Sequence, residues 1–342
     1  PQAPTGLRRL LVRLPNWLGD VVMAAPAVAA IHRARPETQL IAQVKAPFMP
    51  LARLLPGVVE TIPAGRDKSP RDYFRSRRTL KALDLDGVVC FPRSTRAGVA
   101  PWLAGIPVRI GYTKARKSRL FTHAVRGWSA YRSKHRTEWF GLLAKAFGVQ
   151  PELPLELTAP DEGVERARRI LINLGRRHER PLVVLEPGAS YGAAKCWPAE
   201  RFGQLAHRLR ETLDVDVATV GTDATKPIER IVAAHAPDLI RTAGRTSDLT
   251  HLLGILSEAD LVISNDTGPM HVAGALGRPV LALFGASDPV VSSPIGAAEQ
   301  RVLYDPEPCS PCFLRTCPLE GHPCLSKIGV ERVLRHATDL LR

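Results

Sequence analysis

Three times along this chain a short apolar run ends in a compact turn rich in glycine, proline and polar residues, then gives way to helical periodicity. Leu10-Leu-Val-Arg-Leu14 passes through Pro15-Asn-Trp-Leu-Gly-Asp20 into a helical stretch from Asp20 to Arg35, with Val22, Pro26 and Ala30 on one stripe and Pro36 past the end. Arg180-Pro-Leu-Val-Val-Leu185 leads through Glu186-Pro-Gly-Ala-Ser-Tyr-Gly-Ala-Ala-Lys195-Cys-Trp-Pro198 to a helix from Ala199 to Leu213. Leu261 to Ser264 leads through Asn265-Asp-Thr-Gly-Pro-Met-His271 to a third. Strands joined through helices run parallel, and parallel sheets are covered by helices on both faces. The pattern therefore predicts an α/β fold.

Further buried strands are predicted at Leu40 to Val44, Val58 to Ile62, Asp86 to Phe91, Val108 to Gly111, Val215 to Val220 and Val280 to Phe284, with a helix at Leu249 to Ala259. The alternation breaks once, in the proline-rich stretch Pro151 to Asp161, which reads as a linker. With 342 residues, too many for one ordinary core, the expectation is two Rossmann-like doubly wound domains facing a central cleft. They are placed at 1–158 and 159–325, and the amphipathic stretch 326–342 forms a closing helix. Ligands of such sheets sit at the carboxyl ends of the strands, so the three turns are the places to look for chemistry.

In the first turn, Gly19 permits an unusual backbone and Asp20 either takes a proton from an attacking hydroxyl or caps the helix. In the second, a glycine-bearing loop with Lys195 is suited to a diphosphate, though it is neither a Walker loop nor a dinucleotide fingerprint. In the third, Asp266 or Thr267 caps a helix whose first-turn amides suit a phosphate, and His271 lies about one turn in; the other reading is a capped helix with a packed histidine. Cys309, Cys312, Cys317 and Cys324 have one pair spaced by two and another by six, which fits either an imperfect four-thiolate zinc site or structural thiols.

Charge narrows the partner. Lys and Arg number 47 against 33 Asp and Glu, a net of +14, so the partner is anionic. Basic residues gather between Tyr112 and Arg119 and at Arg132, Lys134, His135 and Arg136, with Phe121, Trp128 and Tyr131 among them, a composition that suits either nucleic acid or a phosphorylated glycolipid. No apolar run reaches the roughly 18 residues of a membrane span, and Pro1 to Arg9 carries no long apolar segment, so a cytoplasmic protein is expected.

Taken together, the segments resemble glycosyltransferase family 9. The likeness rests on Arg13-Leu-Pro-Asn-Trp-Leu-Gly-Asp20, Phe91-Pro-Arg-Ser94, Pro101-Trp-Leu-Ala-Gly-Ile-Pro107 with Arg109 and Gly111-Tyr112, and His135-Arg-Thr-Glu138. It continues through Pro187-Gly-Ala189, Lys195-Cys-Trp-Pro198, Asn265-Asp-Thr-Gly-Pro-Met-His-Val272 and Cys309-Ser-Pro-Cys312, spanning nearly the whole chain.

The resemblance implies the GT-B fold, with acceptor on the first domain, ADP-heptose donor on the second, and the closing helix packed back on the first. It implies an inverting transfer to the first heptose of the lipopolysaccharide inner core, as against adding that first heptose or a later one. The Asn-Trp-Leu-Gly-Asp form and the cysteine-bearing tail favour this acceptor. By the same resemblance Asp20 is the base and Lys195 meets the leaving diphosphate. Ser190, Tyr191, Asp266, Thr267, Gly268 and His271 join Lys195 at the donor, and Asn16, Arg93, Arg109, His135 and Arg136 meet the acceptor. No cofactor and no metal are expected, and contact with the inner membrane surface is expected to be peripheral. Nucleic acid is not expected as a partner, since that reading leaves the Lys195 and Thr267 segments unexplained.

Overall fold

The computed structural model describes residues 2–113, 119–153, 156–177, 179–245 and 248–342. The chain divides into Pro1–Leu155 and Glu156–Arg342, so the boundary falls inside the expected linker. In the first unit β1 (Arg9–Arg13), β2 (Gln39–Val44), β3 (Val58–Pro63), β4 (Gly87–Cys90), β5 (Val108–Tyr112) and β6 (His123–Val125) alternate with α1 (Leu18–Ala34), α2 (Met49–Ala52), α3 (Pro70–Lys81), α4 (Val99–Ala104) and α5 (Arg136–Ala144). The second holds β7 (Leu182–Glu186), β8 (Asp216–Thr219), β9 (Ile240–Arg241), β10 (Leu261–Asn265), β11 (Val280–Phe284) and β12 (Gln300–Tyr304). Its helices are α6 (Asp161–Asn173), α7 (Ala199–Leu213), α8 (Lys226–His235), α9 (Leu249–Ser257), α10 (Gly268–Ala275), α11 (Pro289–Ser292), α12 (Pro323–Ser326) and α13 (Val330–Leu340).

Each unit is one six-stranded parallel sheet, ordered β3-β2-β1-β4-β5-β6 in the first and β12-β11-β10-β7-β8-β9 in the second. Both have the same topology. The first and fourth strands lie side by side at the centre, and the crossovers run outward from them in opposite directions, as in Rossmann-like doubly wound sheets. The central strands are apolar on both faces because helices cover both: Leu10, Leu11 and Val12 of β1 have no exposed surface. Helix α1 is apolar almost all round, burying Val21, Val22, Met23, Val28 and Ile31 between its sheet and α5. Each such aliphatic side chain contributes about 1.5–3 kcal/mol on burial.

In the second unit, α6 and α9 pack closely because two glycines meet. A Cβ on Gly254 would lie 2.1 Å from the carbonyl oxygen of Gly163. Just past the linker, Leu157 donates its backbone N–H to the carbonyl of Ala275 at 2.7 Å, which ties the start of this unit to the end of α10.

The closing stretch forms α13. Val333, Leu334, Ala337 and Leu340 of α13 join Phe202, Leu205 and Leu209 of α7 in the core of the second unit. Its apolar stripe is thus packed within its own unit.

Candidate functional site

In a doubly wound sheet the two central crossovers diverge and leave a notch at the carboxyl edge, flanked by the turns after the first and fourth strands. In the first unit those turns carry Asn16 to Gly19 and Phe91 to Gly98; in the second, Pro187 to Lys195 and Asp266 to Gly268. The fold itself thus selects the segments that the sequence singled out.

Asp20 is the third residue of α1, and the N-cap position is held by Trp17, whose side chain makes no capping bond. The capping role is therefore corrected. Asp20 instead accepts a hydrogen bond from Nη1 of Arg136 at 2.5 Å, and the two side chains keep 15% and 27% of their surface. Arg136 opens α5, one turn before Trp139, whose ring carries the Arg93 guanidinium at 4.7 Å and that of Arg136 at 5.9 Å. Burial holds the Arg93 pKa below its ordinary value, the Arg136 charge lowers it further, and Asp20 opposes both. One carboxylate and two guanidiniums thus share a small, partly open patch.

The remaining acceptor candidates divide. Asn16 is exposed in the turn before α1. His135 is the N-cap of α5, its Nδ1 taking the Thr137 amide at 3.4 Å and sharing a 2.8 Å bond with the Thr137 hydroxyl. Its ring is committed to the helix start. Arg109 is the second residue of β5, near the amino edge of the sheet. Its guanidinium donates to the carbonyls of Leu120 at 2.7 Å, Ile106 at 2.6 Å, Pro107 at 3.5 Å and Arg119 at 3.3 Å. It fastens a loop. Residues 114–118 of the expected basic run, and the side chain of Trp128, lie outside the described residues.

In the second unit, Nζ of Lys195 donates to Oδ2 of Asp266 at 2.5 Å, and His271 Nε2 stands 3.9 Å from the other carboxylate oxygen. The Asp266 side chain is 5% exposed. Burial acts to raise its pKa, but the charges of Lys195 and His271 and the hydrogen bond from Lys195 outweigh burial and hold it below the usual carboxylate range. Asp266, expected to touch a ligand directly, lies buried and engaged with Lys195. Thr267 sits at the N-cap of α10 without a capping side-chain bond, its hydroxyl shared with Ser264 at 3.2 Å, and Gly268 and Pro269 follow. Lys195 and an eight-residue helix starting at Gly268 together make a positive site suited to a phosphate.

Two residues here escaped sequence reasoning. Asn265, fully buried, donates its amide to the carbonyls of Glu186 and Gly188 at 3.3 Å and accepts from the Trp197 amide at 2.9 Å. It holds both turns together. Glu186, at the end of β7, is pushed up to about 8 by burial, against a backbone hydrogen bond from Gly188 that lowers it, and its Oε2 has no hydrogen-bond partner among the described residues. The signal for both was a polar residue closing an otherwise apolar strand.

The cysteine-bearing tail packs on the Lys195 loop. Tyr191 donates its hydroxyl to the carbonyl of Phe313 at 2.8 Å, and its ring lies 5.3 Å from Lys195 Nζ and 4.8 Å from the Arg315 guanidinium. Arg315 donates to the Tyr191 carbonyl at 3.0 Å, and its own carbonyl takes the Ala194 amide at 3.0 Å. Only glycine fits at 192, where a Cβ would meet the Arg315 carbonyl oxygen at 2.3 Å. Ser190 stays exposed. Cys309, Cys312, Cys317 and Cys324 line one cavity of about 90 Å³ with Ala194 and His322, and all four are free thiols. Among the described residues no three His, Cys, Asp or Glu side chains are grouped to hold a metal ion.

Comparison with known proteins gives consistent matches. The sequence profile of glycosyltransferase family 9 (heptosyltransferase) matches residues 73–322. Lipopolysaccharide heptosyltransferase 2 of Salmonella typhimurium is 27% identical over 84% of this chain and 85% of its own length. The solved structure of E. coli ADP-heptose lps heptosyltransferase II superposes with a TM-score of 0.79 at 24% identity, covering 97% of this chain and 98% of that one. E. coli heptosyltransferase WaaC with ADP gives a TM-score of 0.73 at 20% identity, over 97% and 99% of the two chains.

Proposed function

Because this chain belongs to glycosyltransferase family 9, the heptosyltransferases, and is therefore a glycosyl-transferring enzyme, we propose that it moves L-glycero-D-manno-heptose from ADP-heptose to the first heptose of the lipopolysaccharide inner core. The observation that carries this reading is the Lys195–Asp266 pair beside the first turn of α10, a cation next to a helix start, which together suit a diphosphate. The naming of relatives as heptosyltransferase 2 favours the second heptose over the first.

The acceptor hydroxyl forms a bond to the anomeric carbon as the bond from that carbon to the diphosphate oxygen breaks, so configuration inverts. The hydroxyl proton passes to Asp20. The departing ADP carries its electron pair as negative charge on the diphosphate, which Lys195, His271 and the amides of α10 stabilise. Asp266 keeps Lys195 in place and charged. Arg93 and Arg136 meet phosphate or carboxylate groups of the inner core beside Asp20. The scheme uses no cofactor. The acceptor being a glycolipid, the enzyme works peripherally at the inner face of the inner membrane. Among the described residues no helix is long and apolar enough to cross a membrane.

The test is to incubate the protein with ADP-heptose and an inner-core acceptor bearing one heptose. One added heptose by mass supports the reading; addition only to an acceptor with no heptose, or to neither, overturns it.

A further inference from the structure

Helix α3 belongs to neither notch, and its surface is unlike that of the other helices of the first unit. It begins with a reciprocal capping box: the Asp72 amide donates to the Ser69 hydroxyl at 3.2 Å while the Asp72 carboxylate takes the Ser69 amide at 3.1 Å, with Pro70 at the first position. Leu80 is buried beneath it, and Arg77 turns toward α4 to donate to the Leu103 carbonyl at 3.0 Å. Outward lie Arg71, Phe74, Arg75 and Arg78, all exposed, spaced three, four and seven apart and so forming one stripe. Lys81 follows at the end.

Phe74 is 65% exposed in the midst of these cations, and neighbouring α4 exposes Trp102 at 47%. The only acid on the helix, Asp72, is already taken by the amides of Lys68 and Ser69. An aromatic ring set among arginines matches the membrane interface, where rings sit at headgroup depth and guanidiniums meet anionic phosphates.

The helix is also placed where such a surface is useful. Asp67, just before α3, bonds to Arg13 at the carboxyl end of β1 and takes the hydroxyl of Ser76 of α3 at 2.7 Å. Its first turns are thus pinned to the edge of the sheet that carries Asp20. We propose that the outer face of α3, formed by Arg71, Phe74, Arg75 and Arg78, docks this protein on an anionic lipid bilayer. Arginines bind headgroup phosphates and Phe74 enters the interface, while the fold of the first unit stays intact.

The test is co-sedimentation of the full chain with phosphatidylcholine vesicles, with and without phosphatidylglycerol. Wild-type protein binds the anionic vesicles and releases as salt rises. Arg75→Ala with Arg78→Ala weakens binding about 25-fold, at about 5-fold per cation, and Phe74→Ser about 10-fold. Both leave the melting temperature and transfer to a vesicle-free acceptor unchanged. Arg166→Ala with Arg169→Ala, which removes the same charge from α6, leaves binding unchanged. Equal loss in this pair would assign binding to net charge alone and overturn the proposal. So would wild-type affinity in the α3 variants, absence of binding to anionic vesicles, equal binding to pure phosphatidylcholine, or tighter binding of an RNA that competes with vesicles. The readout is lipid binding without transfer, so failure here is separate from failure of the proposed heptosyl transfer.

Discussion

The two units carry the same sheet and each sets a carboxylate against a cation at its notch, yet the pairs are built differently. Asp20 and Arg136 sit 116 positions apart in sequence, with 15% and 27% of their side chains exposed, and Arg93 lies close by. Lys195 and Asp266 are 17% and 5% exposed, with His271 behind. A part-exposed pair contributes less to stability than a fully buried one and leaves its carboxylate within reach of a substrate proton. A buried carboxylate is stable only while its cation is present, so it fixes that cation in one place. One topology thus holds a part-exposed carboxylate in one unit, which suits the base we propose, and a buried carboxylate that fixes its cation in the other.

The comparison is most directly broken at Asp20. Asp20→Asn should lower kcat by about 10²–10⁴ with a small change in melting temperature; normal turnover, or an unfolded variant, would make the open pair structural. Glu186 sharpens the contrast through pH. Its folded pKa, raised to about 8, exceeds the ordinary carboxylate value, so the folded chain keeps a proton that the unfolded chain gives up. Stability is then full below the ordinary carboxylate range and declines as pH rises to about 8, by about 4 kcal/mol over three pH units. Thermal melts between pH 5 and 8 should show this slope in the wild type and a flatter one in Glu186→Gln; parallel slopes would sink the assignment.

Lys195→Ala should then destabilise the protein by about 3 kcal/mol, because Asp266 loses its main counter-charge, and weaken ADP binding by about 1.5–3 kcal/mol in calorimetry. An unchanged melting temperature would mean that the second pair is no tighter than the first. The smallest effect belongs to Arg315→Ala. Loss of an exposed cation–π contact of about 0.5–1 kcal/mol should raise the KM for ADP-heptose a few-fold while kcat stays near its starting value. Equal falls in both would place Arg315 elsewhere in the mechanism.

Legibility in the sequence followed locality. The central strands and α1 were readable because burial on both faces leaves unbroken apolar runs. Edge strands β6 and β9 were not, being only three and two residues long, and β12 is largely half-exposed. Helix α3 was missed because its exposed side is basic and its buried side small, although Ser69-Pro-Arg-Asp72 is a readable helix start. Arg109 was legible only as part of a matching motif; that its guanidinium lies on the carbonyls of Leu120 and Ile106 depends on a loop folding back over the amino end of β5.

The amino-acid sequence by itself determined two doubly wound sheets and the turns that carry Asp20, Lys195 and Thr267, because strand length, helical period and glycine-bearing turns are properties of neighbours along the chain. The tertiary structure decided which charges meet, Asp20 with Arg136 and Lys195 with Asp266, and that the apolar face of α13 packs on α7. It also decided that Glu186 holds a proton near neutral pH. Those outcomes depend on distance and on exclusion of water between residues far apart in sequence, and neither is encoded in any local pattern.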